Sequence, residues 1–284
     1  MEEKTEKQNL AELHGILLEM LRDIDGVCRK HGLRYSLYCG TLLGAVREGA
    51  MIPWDDDADL TMPIEDYRVF FRVAQEELAD RYIIQDLGNT PAHPWLWMRI
   101  FRRNTCYLRQ TWRSLPVHHG IALDIYPMIG AAETERGFCL QHAVLDAAKA
   151  LRHIDYWRAV GFPEDPFQRR VGKALAVLPA HLRRLLSLLL LRAAAFSPEK
   201  KRRCCTLDGA DFIPKYKSAD WRELTTLSLN GSAFRAPVRY DRLLRTMYGD
   251  YMLPPPEDRR TGHAQDVIID TKRDYTWYLL EDVH

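Results

Sequence analysis

Four carboxylates crowd into five residues in the segment Pro53-Trp54-Asp55-Asp56-Asp57-Ala58-Asp59-Leu60-Thr61-Met62-Pro63. Aspartate is depleted in strands, so backbone propensity does not account for the cluster. Read as extended chain, alternation puts Asp55, Asp57, Asp59 and Thr61 on one face and Asp56, Ala58, Leu60 and Met62 on the other. The second face turns apolar from Ala58 onward and suits a core. Carboxylates on the first would stand roughly 6–7 Å apart along the strand. Like charges held so close repel unless a cation lies between them or one is protonated. Oxygen ligands with no neighbouring His or Cys favour Mg²⁺ or Mn²⁺ over zinc. The bland alternative is a solvated acidic loop, and the flanking Pro and Trp and the apolar alternation count against it.

A further aspartate interrupts an apolar strand. In Gly120-Ile121-Ala122-Leu123-Asp124-Ile125-Tyr126-Pro127, the side chains of Ile121, Leu123 and Ile125 share one face, and Asp124 lies opposite with Ala122 and Tyr126. A carboxylate there needs a partner, because burying an unpaired charge is expensive. Two partners suit it: a metal shared with Asp57 and Asp59, or one of the many arginines. Upstream, Gly40-Thr41-Leu42-Leu43-Gly44-Ala45-Val46-Arg47 reads as a glycine turn between a strand and a helix. Backbone N–H groups at a helix start bind phosphate, Thr41 adds a hydroxyl, and Arg47 is placed for a bidentate contact. The Gly-Lys-Ser/Thr ending of a Walker loop is missing.

The elements that must hold these residues follow from periodicity. Leu10, Leu13, Leu17, Leu21, Ile24 and Val27 recur at helical spacing, predicting a helix over 8–31 that stops at Gly32. Strands are expected at 35–39, 58–62, 81–87, 95–101, 105–110 and 120–126, with a helix over 64–79. From about 133 to 203 the chain reads as helical, broken at Gly161-Phe162-Pro163 and Pro179. Strands at 224–229 and 233–236 and a helix at 239–249 follow. Early strands and later helices predict an α+β fold carrying a helical insertion. The expected division is a catalytic core over 1–132, a basic helical lobe over 133–203, and a segment over 204–284 that completes the core.

With 284 residues, 46% of them hydrophobic and 28% charged, the chain has an ordinary globular composition. A net charge of +1 gives no global reason to expect nucleic acid as a partner. No apolar run follows the charged Met1–Lys7 stretch and six cysteines form no paired motif, so a cytoplasmic location is expected. Charge is uneven, however. From Lys149 to Arg203 thirteen cations face four carboxylates, a net of +9. That is either a solvated face with arginine stems over apolar surface, or a docking face for anionic lipid or a polyanionic glycan carrier at the inner membrane face.

Tyr35-x-Leu37-x-x-Gly40-Thr41-Leu42-Leu43-Gly44-Ala45-Val46-Arg47, followed by Ile52-Pro53-Trp54-Asp55-Asp56-Asp57-x-Asp59, resembles the signature of the LicD family. The likeness continues through Arg99-Ile100, Asn104-Thr105, Asp124-Ile125-Tyr126-Pro127 and Tyr248-Gly249-Asp250-Tyr251-Met252. Glu48, Ala50 and Met51 depart from it, where histidine, glycine and an aromatic residue are common. The resemblance implies a nucleotidyltransferase-like mixed sheet flanked by helices and related to fukutin-type proteins. It implies phosphocholine transfer from CDP-choline to a sugar hydroxyl of a glycan or glycolipid: lipopolysaccharide, teichoic acid or capsule. By the same resemblance Gly40 and Thr41 form the phosphate turn, Asp57, Asp59 and Asp124 are metal ligands and catalytic residues, and Arg99 meets the donor phosphate. Asp124, His118 or His119 would accept the hydroxyl proton. A choline head group calls for an aromatic cage, for which Trp95, Trp97, Tyr107 and Trp112 are candidates. Rival readings are a CDP-ribitol or CDP-glycerol donor, an Asp-x-Asp glycosyltransferase, a haloacid-dehalogenase-type phosphatase built on Asp57-x-Asp59-x-Thr61, and a non-catalytic adaptor of glycan assembly.

Overall fold

Leu13, Leu17, Leu21 and Ile24 form one buried stripe on helix α1 (Glu6–Lys30), and Gly32 follows it in the left-handed region at φ +65. The computed structural model describes residues 6–207, 216–262 and 266–280, so Met1–Thr5 of the charged amino-terminal stretch lie outside it. Strand β1 (Ser36–Leu37), helix α2 (Cys39–Arg47), strand β2 (Asp59–Pro63) and helix α3 (Ile64–Glu77) come next. Then come β3 (Tyr82–Gln85), β4 (Met98–Arg102), β5 (Cys106–Arg109) and the long β6 (Ala122–Ala131).

The acidic segment departs from the expected alternation. Strand β2 begins only at Asp59, and Asp55 to Ala58 is irregular chain entered by a turn in which Asp55 N–H donates to Ile52 O at 3.0 Å. Pro53 has no N–H to give a ladder, so the carboxylates of Asp55 and Asp57 are presented by a loop and not by one strand face. From Asp59 to Met62 the strand is buried on both sides. That burial suits a strand flanked by neighbours on both edges.

Three helices follow: α4 (Glu135–Val160), α5 (Pro166–Leu175) and α6 (Ala180–Ala194). Thr134 and Asp165 cap the first two through their side chains, accepting from Gly137 N and Gln168 N, and Gly161 at φ +104 separates them. Helix α6 packs on α4 through Ser187 Oγ donating to Ala148 O at 2.9 Å and Arg183 donating to Asp155 at 2.6 Å. Strands β7 (Arg203–Thr206) and β8 (Tyr216–Lys217) then return to the sheet, followed by the short helix α7 (Ala219–Arg222). The hairpin of β9 (Leu224–Leu229) and β10 (Ser232–Pro237) turns at Asn230-Gly231, both at positive φ as a two-residue hairpin requires. Helix α8 (Tyr240–Tyr248), strand β11 (Val267–Asp270) and helix α9 (Tyr275–Leu280) complete the described chain.

Among the described residues the main sheet has seven strands, in the order β1-β2-β6-β4-β3, with β7 on the second half of β6 and β8 on β7. Strands β2 and β6 are parallel, and the other pairs of this sheet are antiparallel. The fold is α+β, with a mixed sheet. Helices α4 to α6 leave the sheet after β6 and β7 returns beside it, so they lie between two strands that are neighbours. Among the described residues no single helix is long and apolar enough to cross a membrane.

Candidate active site

Parallel pairing of β2 with β6 sets Asp59 beside Asp124 in register. Adjacent strands stand about 4.8 Å apart, which brings two carboxylates to one end of the sheet. The backbone around them is pinned: Asp124 N–H donates to Ala58 O at 3.0 Å, Tyr38 N–H to Asp59 O at 3.0 Å, and Asp59 N–H to Thr41 Oγ1 at 2.8 Å. Thr41, expected to face phosphate, thus also ties the acidic strand to the start of α2. Burial holds the Asp59 carboxyl well above the usual carboxylate range, and the charges of Asp57, Asp124 and Asp55 push it the same way against Arg99. Asp55 is raised to about 6, first by burial and then by Asp56. The acidic residues therefore form one mutually repelling cluster.

This all-oxygen donor set has the chemistry of a hard divalent cation, whose charge would relieve the repulsion. It is not a closed cage: among the described residues no three acidic, imidazole or thiol groups stand ready as a metal site. Arg99 Nε donates to Asp124 Oδ1 at 2.7 Å, so the arginine partner named above for Asp124 is present. Both side chains are largely buried.

The glycine turn lies against this cluster. The N-cap residue of α2, Tyr38, makes no side-chain capping hydrogen bond. A Cβ on residue 40 would collide with the Asp55 carboxylate, so glycine is required for that approach. Cys39, immediately before it, sits at φ +42, a strained conformation for a residue with a side chain. Arg47 is engaged within the chain. Its guanidinium donates to Glu48 at 2.8 Å and Tyr251 O at 3.2 Å and lies 5.9 Å from the Trp54 ring centroid, so it braces the end of α2. The reason is local: Glu48 is its chain neighbour, and the carboxyl-terminal segment packs over it.

The aromatic candidates divide. Arg99 lies 4.4 Å from the Trp95 ring centroid and 5.6 Å from that of Trp112, so those two rings hold a guanidinium of the protein itself. Trp97 packs on Tyr126 at 5.0 Å, and Tyr126 on Tyr38 at 5.5 Å. Tyr107 stands apart from the tryptophans, its hydroxyl donating to Asp56. His118 and His119 are buried and packed on Tyr275, and burial lowers His118 to about 4. His118 Nδ1 accepts from Gly120 N–H at 3.0 Å.

Two tyrosines of the site went unassigned at the sequence level. The phenols of Tyr126 and Tyr248 are both raised by burial and then by nearby negative groups, Asp59 among them. Tyr126 shares the strand face of Asp124, which was a usable signal. Tyr248 lies nearly two hundred residues away in sequence, and only folding brings it here.

Residues 32–141 match the family model for the LicD/FKTN/FKRP nucleotidyltransferase domain. The chain carries a LicD-family domain. Beyond it, the chain is 26% identical over 275 residues to the lipopolysaccharide cholinephosphotransferase LicD of Haemophilus influenzae, covering 93% of this chain and 99% of that protein. It is 50% identical over 50 residues to the ribitol 5-phosphate transferase FKRP of Mus musculus and of Homo sapiens, covering 18% of this chain and 10% of theirs. The matched LicD segment contains the turn at Gly40, the acidic loop, Arg99 and Asp124.

Proposed function

We propose that this protein transfers phosphocholine from CDP-choline to a sugar hydroxyl of a cell-surface glycan, with Asp57, Asp59 and Asp124 holding Mg²⁺ or Mn²⁺. The observation that carries this reading is the pairing of Asp59 with Asp124 beside Thr41 at the start of α2. Likeness to LicD over nearly the whole chain supports the donor. Such an ion would supply charge neutralisation to the diphosphate. The chain's own residues do the rest. Gly40 and Thr41 offer the start of α2 to the donor phosphates. Arg99, positioned by Trp95 and Trp112, meets the negative charge that grows on the transferred phosphoryl group. The sugar oxygen bonds to the distal phosphorus, the bond from that phosphorus to the CMP oxygen breaks, and CMP departs. Asp124 takes the hydroxyl proton. Trp97 beside Tyr126 is the aromatic surface best placed for the choline group, since Trp95 and Trp112 already hold Arg99.

In this reading residues 1–132 and 204–284 form a nucleotidyltransferase-like core and 133–203 a basic lobe. The pairing of β6 with β7 supports that division. The protein works in the cytoplasm, and its basic stretch from Lys149 to Arg203 approaches the anionic inner face of the membrane. A second reading, ribitol-phosphate transfer, is favoured by the FKRP match, which is short but closer in identity. The deciding experiment is CMP release from CDP-choline, CDP-ribitol and CDP-glycerol with Mg²⁺ and a glycan acceptor. Phosphocholine transfer predicts turnover with CDP-choline, lost by about 10²-fold or more in Asp57→Asn. Full turnover in that variant would remove Asp57 from the reaction.

A further inference from the structure

Helices α4 and α5 enclose a cleft of about 540 Å³ that the transfer chemistry leaves without a role. Its size is that of a small-ligand site. Its walls mix Tyr156, Trp157 and Phe167 with Asp146, Lys149 and Gln168. Phe167 is 75% exposed, although it sits on a helix with a core-facing side at Gly172. Trp157 is braced from two directions. His153 stacks on it at 5.8 Å with rings 22° apart, and α5 passes so close that a Cβ on Gly172 would lie 3.0 Å from the indole. Trp157 is therefore held in place before any ligand arrives, which lowers the entropy cost of binding against it.

The mixture selects a class of ligand. A pyranose ring has an apolar face of C–H groups and a rim of hydroxyls. Aromatic faces accept the first, and an amide, a carboxylate and an ammonium pair with the second. An acyl chain would use none of the polar groups Asp146, Lys149 and Gln168, and a phosphate would be repelled by Asp146, which lies 3.4 Å from His142 Nδ1. The cleft shares a wall with the cluster that holds Arg99. Tyr156, which lines it, packs into the cluster of Trp95, Leu115, Val117 and Trp112. Trp95 and Trp112 hold Arg99, and Arg99 holds Asp124.

We infer that the α4–α5 cleft seats the acceptor oligosaccharide, gripping sugar units beyond the one whose hydroxyl is substituted. This rests on the phosphotransferase reading and adds to it the place and class of the acceptor. Helix α5 then acts as a specificity element, with Phe167 as the stacking platform and Gln168 and Asp146 as readers of hydroxyl orientation.

The test uses the full chain and, as probe, the core oligosaccharide of a deacylated lipopolysaccharide. Binding is read by saturation-transfer NMR and transfer by CMP release from CDP-choline. Phe167→Ala and Gln168→Ala change exposed positions on α5, and Leu189→Ala, 49% exposed on α6 outside the cleft, is the control. The expected result is oligosaccharide contact in the unmodified protein, weakened at least fivefold by Phe167→Ala and Gln168→Ala and unaltered by Leu189→Ala. Where transfer is measurable, the acceptor KM rises by the same factor and kcat moves less. Absent contact, or equal contact in all four proteins, overturns the cleft assignment. So does loss of binding to phosphatidylglycerol vesicles with oligosaccharide contact unaltered, which would give the cleft to a lipid surface. Cleft-dependent contact without CMP release from any CDP donor overturns the transfer reading alone and leaves the glycan seat standing.

Discussion

Asp59 is the residue on which burial and like charge meet. It is buried beside three other carboxylates, and its folded pKa lies well above the ordinary 3.8. A carboxyl raised in this way favours folding only while protonated, below about pH 4, and that contribution is lost as pH rises through its folded value. At neutral pH, with divalent ions chelated, the ionised group therefore weighs against folding. Asp59→Asn is expected to raise Tm by about 2–4 °C per kcal/mol relieved, in EDTA at pH 7.5, while CMP release falls by about 10²-fold or more. A lower Tm would contradict the repulsion account. Arg99 is the counterweight, since it both pairs Asp124 and fills the space between Trp95 and Trp112. Arg99→Ala is expected to cost about 3 kcal/mol in urea denaturation. Arg99→Lys should recover less than half of that, because an ammonium lacks the planar fork that stacks on both rings.

At the scale of elements, α2 is fastened at both ends, and its two glycines do different things. A Cβ on Gly40 would strike the Asp55 carboxylate, the far end of a side chain that can swing away. A Cβ on Gly44 would stand 2.6 Å from the Ala50 carbonyl oxygen and 3.2 Å from the Ile52 N, both backbone. Gly44→Ala is thus expected to destabilise the fold by about 1–3 kcal/mol, as overpacking against a fixed neighbour does. Gly40→Ala should leave stability within about 0.5 kcal/mol and act on donor KM instead. Chemical denaturation beside donor titration separates the two outcomes. The helical spans, the glycine turn and the strands at 224–229 and 233–236 were legible because each is set by neighbours within a few residues. The start of β2 was not, because whether Asp55 and Asp57 join a ladder depends on which strands lie alongside.

The whole molecule carries an acid sensitivity in its buried histidines. Burial lowers His93 to about 3, His118 to about 4 and His153 to about 4, from 6.5. A group with a depressed folded pKa contributes stability that is fully present above 6.5 and is lost as pH falls toward the folded value. His118 and His153 are each worth about 3 kcal/mol across that window and His93 about 5 kcal/mol. Tm is therefore expected to hold above pH 6.5 and to fall between 6.5 and about 4, with a shallower fall in His153→Phe. A flat profile would place these rings in contact with solvent. The basic stretch from Lys149 to Arg203 is less uniform than its composition implies. Arg183 is buried on Asp155, and Arg152 donates to Leu87 O at 3.0 Å, so part of that charge is structural.

Read alone, the chain marked the residues whose chemistry could matter. Four aspartates in five residues, an aspartate in an apolar strand and a glycine turn before a helix are local patterns, and local patterns constrain which ions and phosphates can be held. It also determined an α+β fold, since the periods of 2 and 3.6 held over most of its elements. Tertiary structure decided who stands beside whom. Parallel pairing of β2 with β6 set Asp59 against Asp124, the cross-sheet approach gave Asp124 to Arg99, and Arg47 found Glu48 and the Tyr251 carbonyl. Those outcomes are contests between partners distant in sequence, settled by burial and register, and no spacing of residues along the chain records them.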